Sequence, residues 1–157
     1  MKDSRRVEHA RWGHLRINVY HMPIQDDESI KKILEESRTV AVVGASQKAW
    51  RDSNSIARFL VRKGYTVYPV NPKYDEVDGV QCYPDVKSIP ASIDIVDVFR
   101  QSSAVPEVVE DAVNAGAKTI WLQFGVIHEE AAERAEQAGL QVIMDRCIAV
   151  EYRQLIH

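Results

Sequence analysis

The chain has 157 residues, 45% of them hydrophobic and 27% charged, which is the composition of one globular domain that can bury a core. Its formal net charge of −3 argues against a general nucleic-acid binder, because such proteins carry a basic excess. No apolar run approaches the roughly 18 residues that span a membrane, and Cys82 and Cys147 lie too far apart to form a CxxC motif. We therefore expect a soluble, cytoplasmic protein with reduced cysteines.

Residues 1–25 are expected to form a flexible N-terminal extension, and residues 26–157 a single domain. Residues 1–22 hold five cationic side chains against two acidic ones, and three of the five histidines. A basic arm and a metal-binding tract are the functional alternatives for this segment, which shows no sustained hydrophobic period. Because MPIQDDESIKKIL reads as a natural start, we hypothesise that translation begins at Met22.

The predicted elements begin with a short helix and a buried strand. Asp26 or Asp27 can cap a helix whose apolar residues recur at helical spacing. The continuous apolar run TVAVVG, residues 39–44, is typical of a buried parallel strand, and a second helix follows from about Ser53. A strand, a glycine and a helix in this order resemble the beginning of a nucleotide-binding unit.

A pattern of a helix, a glycine and an apolar strand then occurs three times along the chain. Gly64, Gly116 and Gly139 each stand where a left-handed residue ends a helix. The run IDIVDVF predicts another strand, and GVQCYP predicts a weaker, short one. This alternation predicts an α/β fold with a doubly wound, mostly parallel, Rossmann-like sheet of five to six strands and helices on both faces.

Polar and cationic residues follow each apolar strand. In open α/β sheets, ligands bind beyond the carboxyl ends of the strands. The segments at those ends are GASQK, NPK, FRQSS, QFG and DRC. Any one of them alone reads as a turn, but five together favour a binding edge that includes Lys48, Lys73, Arg100 and Arg146.

The first of these loops has the features of a phosphate site. Gly44 lets the backbone turn sharply out of the strand, and Ala45 and Ser46 are small enough to admit a phosphate. Ser53 stands at the start of the next helix, whose free N–H groups and dipole favour an anion, whether or not it also caps that helix. Hydroxyl donors and positive charge are available from Ser46, Lys48, Arg51 and Ser53.

Several nucleotide-binding signatures are absent from this sequence. Ser46 and Ala49 occupy the later glycine positions of GxGxxG, and the second strand ends in Asn71-Pro72-Lys73 instead of the acid that binds the ribose of NAD. We find no P-loop, no metal-binding cluster and no elbow-type nucleophile in the pattern. A nicotinamide cofactor is therefore disfavoured, and a ligand with more negative charge than NAD is favoured.

Several segments together resemble the small stand-alone CoA-binding proteins, which are Rossmann-type domains related to the CoA-binding domain of the succinyl-CoA synthetase α subunit. The segments are VAVVGAS, DSNSIARFL, GYTVYPVNPKYDEVDGVQCYPDV, DIVDVFR, GAKTIWLQFGV and GLQVIMDRCIAVEY. The resemblance covers roughly residues 27–155. It implies a protein that binds coenzyme A (CoA) or acyl-CoA as a non-catalytic binding, carrier or sensor module.

The resemblance also implies where the parts of CoA lie. The diphosphate would lie on residues 44–46 and the following helix, and the adenosine end near residues 70–73, with Phe99 and Arg100 lining the next part of the groove. Residues 123–125 would face the pantetheine. The candidate CoA-binding residues are Gly44, Ala45, Ser46, Lys48, Arg51, Ser53, Val70, Asn71, Pro72, Lys73, Phe99, Arg100, Gln123, Phe124, Gly125 and Cys147.

We predict no catalytic residue and no metal ligand. The synthetase α subunit uses a phosphorylated histidine from a downstream domain that has no counterpart in this sequence, and His128 reads as a residue at a helix start. Cys147 is the remaining chemical candidate, because a cysteine near a helix start can be reactive and can form a mixed disulfide with CoA.

For Cys147, the alternative is that its thiol is inert. For the protein, two alternatives to a CoA-binding module stay open: an acyl-CoA thioester enzyme that uses Cys147, and an NAD(P)-binding redox sensor or oxidoreductase on the same fold. A protein partner or a homo-oligomer is also open, whereas nucleic acid and membrane are not expected partners.

Overall fold

A parallel sheet of five strands forms the middle of the fold, which the computed structural model describes for residues 9–12, 15–18 and 22–157. In chain order, the strands are β1 (His9–Trp12), β2 (Leu15–Asn18), β3 (Thr39–Val43), β4 (Thr66–Val70), β5 (Glu76–Val77), β6 (Val80–Gln81), β7 (Ile95–Val98), β8 (Thr119–Leu122) and β9 (Gln141–Ile143). The helices are α1 (Asp27–Glu36), α2 (Asp52–Arg62), α3 (Val105–Asn114), α4 (Glu129–Gln137) and α5 (Ile148–Leu155).

The central sheet has the strand order β4-β3-β7-β8-β9, and each neighbouring pair is parallel. Helices α1, α2 and α5 pack on one face, where Ile30, Leu60 and Ile148 are buried. Helices α3 and α4 cover the other face with Val109 and Ala135 among the buried residues. The predicted doubly wound α/β fold is therefore confirmed, with five strands in its sheet.

The segment GVQCYP does not add a sixth strand to that sheet. Val80 and Gln81 form β6, which pairs antiparallel with β5 in a separate hairpin. Asp78 and Gly79 at the hairpin turn have φ values of 51° and 78°, as a tight two-residue turn requires. Because this turn sends the chain back along β5, the segment reaches the central sheet only through an isolated bridge between Tyr83 and Val70.

The packed domain starts before residue 26. Ile24 is buried, and its N–H donates to the carbonyl of Val142 at 2.8 Å. Asp26 then caps α1, as expected, by accepting a 2.9 Å hydrogen bond from the N–H of Ser29. Strands β1 and β2 pair antiparallel within the segment predicted to be a flexible extension, whose flexibility stays a prediction. The remaining residues of that segment up to residue 21 lie outside the described residues.

The strand order reverses between β3 and β7. The chain leaves β3 for β4 through α2 on one face of the sheet, and it leaves β7 for β8 through α3 on the other face. The loops after these two strands, which begin at Gly44 and Phe99, therefore diverge at the carboxyl edge. Doubly wound proteins bind their ligands in the crevice at such a point.

Asp97 is a carboxyl group buried within the sheet. It lies on β7 opposite Val42 and Trp121 of the neighbouring strands, it has no exposed surface, and neither carboxyl oxygen has a hydrogen-bond partner. Burial raises the pKa of Asp97 well above its usual range. The folded protein therefore keeps the proton on this carboxyl at pH values where the unfolded chain has released it.

We expect Asp97 to make the free energy of unfolding fall as the pH rises. Since the folded-state pKa is raised, the contribution of Asp97 to the free energy of unfolding is fully present below the unfolded-state pKa of about 4 and is lost as the pH rises toward the folded-state pKa. Over this range, the free energy of unfolding falls by at most about 1.4 kcal/mol per pH unit because of Asp97. Asp97→Asn should remove this slope, as urea unfolding at a series of pH values will show.

Asp94→Asn is the matched control for that experiment, because the pKa of Asp94 moves in the opposite direction. Burial raises the pKa of Asp94, but the N–H groups of Arg38 and Thr39 and the ammonium group of Lys118 lower it overall. Its stabilising contribution is present above the unfolded-state pKa and is lost as the pH falls. If the Asp97→Asn protein keeps the wild-type slope above about pH 4, Asp97 is not the group responsible.

Candidate functional site

The loop after β3 is held tightly against its neighbours. Gly44 has a φ of 88°, and a Cβ atom at this position would lie 2.3 Å from the carbonyl oxygen of Phe99. The N–H groups of Gly44 and Ala45 both donate to the carbonyl of Val70, at 2.9 and 3.2 Å. These two amides are therefore occupied by the protein, and the loop must offer a ligand its later N–H groups and its side chains.

Helix α2 begins one residue earlier than predicted. Arg51 is the N-cap residue and has no side-chain cap hydrogen bond, and Asp52 and Ser53 form the first turn. Ser53 is therefore not the capping residue; it is buried, and its surface contributes to a cleft at the helix start. The uncapped first turn leaves donor N–H groups at the positive end of the helix dipole, which is the setting that favours an anion.

A hairpin supports this loop from the side. The side-chain amide of Asn54 donates to the carbonyl of Ser46 at 2.7 Å and to the carboxylate of Asp78 at 2.9 Å, and Gln47 donates to the carbonyl of Glu76 at 2.7 Å. Asn54 is almost fully buried. This support was not predicted from the sequence, although the Asp-Gly pair at the turn is a hairpin signal.

Asn71 shapes the second part of the edge. Its side chain donates to the carbonyl of Ala45 at 2.8 Å and accepts from the N–H of Lys73 at 2.9 Å. These two bonds connect the loop after β3 to the turn after β4 and point the chain past Pro72 along the edge of the sheet. Asn71 therefore has a structural role at the position where an NAD site would carry an acid.

Two clefts open at this carboxyl edge. The large cleft has a volume of about 1380 Å³ and runs from the loop after β3 to the start of α5. The small cleft, of about 480 Å³, lies between the turn after β4 and α3. Gly44, Asn71 and Lys73 line both clefts, so the two meet at the loop after β3.

Fifteen of the sixteen predicted residues line one of these clefts. Those lining the large cleft are Gly44, Ala45, Ser46, Lys48, Arg51, Ser53, Asn71, Lys73, Phe99, Gln123, Phe124 and Cys147. The small cleft adds Val70, Pro72 and Arg100. Gly125 lines neither cleft, and its N–H donates to the carboxylate of Asp145 at 2.7 Å.

The large cleft carries an excess of positive charge. Six cationic side chains and three carboxylates line it among the described residues. In the part of the chain that the structure describes, Lys48, Arg51 and Lys73 form no ion pair, and Lys48 instead lies 5.7 Å from the ring centre of Trp50. These exposed cations border the loop after β3 and the turn after β4, where they can meet anionic groups of a ligand.

The opposite end of the large cleft is formed where β8 and β9 end and α5 begins. The Gln123 side chain accepts a 3.1 Å hydrogen bond from the N–H of Ile148 and so satisfies the first turn of α5. Cys147, predicted to lie near a helix start, is the N-cap residue of that helix and is half-buried in the cleft wall. Arg146, which the sequence placed among the cations of the binding edge, is paired with Glu151 at 3.1 Å.

His128 is a structural residue of α4. It is the N-cap, and its Nδ1 accepts a 3.1 Å hydrogen bond from the N–H of Ala131. Within residues 22–157, no histidine lines either cleft. The described parts of the chain contain no group of three or more potential metal ligands and no helix that is long and apolar enough to cross a membrane.

A doubly wound sheet with a glycine loop and a cation-bordered cleft at its switch point is typical of nucleotide-binding α/β proteins. The model of one family, described as a CoA-binding domain, matches residues 38–153. The chain therefore belongs to this CoA-binding family, and the resemblance found in the sequence is confirmed.

The similar proteins fall into two groups by length. A hypothetical protein from Pyrococcus horikoshii OT3 has a solved structure that matches with a TM-score of 0.83 and 43% identity, over 87% of this chain and 97% of that one. The uncharacterized protein YneT of Bacillus subtilis is 41% identical over 123 residues, which are 78% of this chain and 91% of YneT. The ADP-forming acetate–CoA ligase I of Archaeoglobus fulgidus is 32% identical over 72% of this chain, but the match spans only 18% of the ligase.

Proposed function

We propose that the protein binds CoA or acyl-CoA in the large cleft and acts as a non-catalytic binding, carrier or sensor module. The diphosphate lies on the loop of residues 44–46 and the first turn of α2. The observation that carries this proposal is the cation-bordered cleft at the switch point of a chain that belongs to the CoA-binding family. CoA carries a diphosphate and a 3′-phosphate, so a site with unpaired lysine and arginine side chains suits it.

The charge of the edge also favours CoA over NAD. An NAD site places an acid after the second strand of the unit, where it binds the ribose hydroxyl groups. Here Asn71 occupies that place and uses its side chain to hold the loop after β3, and exposed Lys73 follows. A cation at this position attracts a phosphate and offers no acceptor to a ribose.

The lining of the large cleft supports a binding role without catalysis. Cys147 is the cysteine exposed to it, and no histidine of the described residues lines the cleft to act as its base. Nucleophilic catalysis by cysteine often uses such a neighbouring base, and in its place Cys147 has the start of α5. We therefore treat the relatives' ligase chemistry as belonging to the longer chains, of which this protein matches one part.

Calorimetric titration of the full chain with CoA, dephospho-CoA, NADH and NADPH tests this proposal. We expect CoA to bind, and dephospho-CoA to bind at least about tenfold more weakly, because one charge-assisted phosphate contact is worth about 1.5–3 kcal/mol. The affinity for CoA should also fall as salt is added. Tighter binding of NADH or NADPH than of CoA would contradict the proposal. Equal affinity for CoA and dephospho-CoA would show that the site does not contact the 3′-phosphate.

A further inference from the structure

We propose that the end of the large cleft at β9 and α5 binds the acyl group of an acyl-CoA, and that the protein prefers apolar acyl thioesters to free CoA. This inference rests on the proposed CoA site and names its preferred ligand class. It is carried by three observations: the apolar surface at this end, the pairing of its charged groups, and its distance from the loop after β3.

The first observation is an exposed apolar surface inside the cleft. Phe124 is 78% exposed and Val150 is 43% exposed, and both line the cleft beside Met144 and Cys147. A large aromatic side chain that is exposed in a concave site is a surface that a ligand can cover. We call these four residues, Phe124, Met144, Cys147 and Val150, the apolar end of the cleft.

The second observation is that the charged side chains near the apolar end contact the protein itself, including Arg153, which forms no ion pair in the described residues but whose guanidinium carbon lies 4.6 Å from the ring centre of Phe59. Arg146 pairs with the carboxylate of Glu151 at 3.1 Å and donates to the carbonyl of Gln25 at 3.0 Å. The carboxylate of Asp145 accepts from the N–H of Gly125 at 2.7 Å. By contrast, Lys48 and Arg51 at the opposite end have no ion pair in the described residues. The end beside the loop after β3 therefore offers unpaired cations together with the exposed ring of Trp50, whereas the opposite end offers apolar surface.

The third observation is the spacing of the two ends. Strands β7 and β8 lie between β3 and β9 in the sheet, so the ends of β3 and β9 are three strand spacings apart, or about 14 Å. The pantetheine arm of CoA is roughly as long as four extended residues, about 14 Å at 3.3–3.6 Å each. With its diphosphate on residues 44–46, CoA can therefore place its sulfur, and any group attached to it, at the apolar end.

The experiment compares CoA, acetyl-CoA and octanoyl-CoA by calorimetric titration of the full chain. Octanoyl-CoA should bind at least about tenfold more tightly than CoA, a factor equal to the burial of about two methylene groups. Acetyl-CoA should bind with nearly the affinity of CoA. In the Phe124→Ser protein, the ratio of the CoA and octanoyl-CoA dissociation constants should fall to within about threefold of unity, because less apolar surface is left to cover the acyl chain.

Val61→Ser is the matched control, because Val61 is a 54% exposed apolar residue of α2 that lines neither cleft. In the Val61→Ser protein, the ratio of the CoA and octanoyl-CoA dissociation constants should stay at the wild-type value. Binding of CoA and octanoyl-CoA with equal affinity would overturn this inference and leave the proposed function intact, whereas failure of every CoA species to bind would overturn both. If Phe124→Ser dissociates a wild-type dimer in ultracentrifugation and leaves the ratio unchanged, the surface belongs to a contact between copies and the inference is wrong.

Discussion

Gly44→Ala is expected to lower the free energy of unfolding by about 3 kcal/mol and to abolish CoA binding. The backbone at Gly44 has a φ of 88°, and the added Cβ would meet the carbonyl oxygen of Phe99 at 2.3 Å. A left-handed non-glycine residue costs about 1–2 kcal/mol, and a forced backbone shift costs about 1–3 kcal/mol more. Because relief of the collision must move the loop after β3 or the loop after β7, the proposed diphosphate site moves with it.

Gly116→Ala is the control that separates the cost of a left-handed backbone from the cost of the collision with Phe99. Gly116 also has a positive φ, of 70°, but an added Cβ there has no neighbour within 4 Å. Its cost should therefore be the conformational part alone, about 1–2 kcal/mol, with CoA affinity unchanged. Urea unfolding and calorimetric titration of both variants provide the comparison, and equal losses of stability would show that the contact with Phe99 does not matter.

Ser46→Asp is expected to weaken CoA binding by more than about 100-fold with little change in stability. Ser46 lines the large cleft on the loop after β3, and its hydroxyl accepts a 3.1 Å hydrogen bond from the N–H of Lys48, which an aspartate can also accept. The new carboxylate repels a bound diphosphate; two unit charges 4 Å apart interact by about 4 kcal/mol near a protein surface.

Ser103→Asp is the control for the change in net charge. Ser103 is exposed in the short turn before α3 and lines neither cleft. CoA affinity in this variant should stay within about threefold of wild type, since the added charge is exposed to solvent outside both clefts, where salt screens it. Wild-type affinity in the Ser46→Asp protein would mean that the diphosphate does not lie on this loop.

The order of the secondary-structure elements could be predicted because their signals are local. A continuous apolar run such as residues 39–43 must be buried on both faces, and this fits a parallel strand between two layers of helices. Gly64, Gly116 and Gly139 all have positive φ at the ends of helices, as their positions predicted. The weak strand at residues 79–84 was less predictable, because a short apolar segment does not show which partner strand it meets.

The candidate site could be predicted in part for the same reason. The polar residues after each strand are brought together by the rule that parallel strands deliver their carboxyl ends to one edge, and fifteen of the sixteen named residues line a cleft there. Helix α2 begins at Asp52, next to the predicted start at about Ser53, but the fold uses Arg51 as the N-cap although Ser53 is the better capping residue by type. A cap preference is weak, and packing of the loop overrides it.

The sequence by itself therefore determined the fold class, the edge at which we propose that a ligand binds and the absence of the NAD acid, since these follow from local pattern and from the topology of parallel sheets. Only the tertiary structure decided which groups at that edge remain available. It placed Phe99 against Gly44, used Asn54 to connect the loop to the hairpin, and paired Arg146 with Glu151. The physical reason is that a contact between segments distant in the chain depends on how strands and loops pack, and neither residue type nor local spacing specifies that packing.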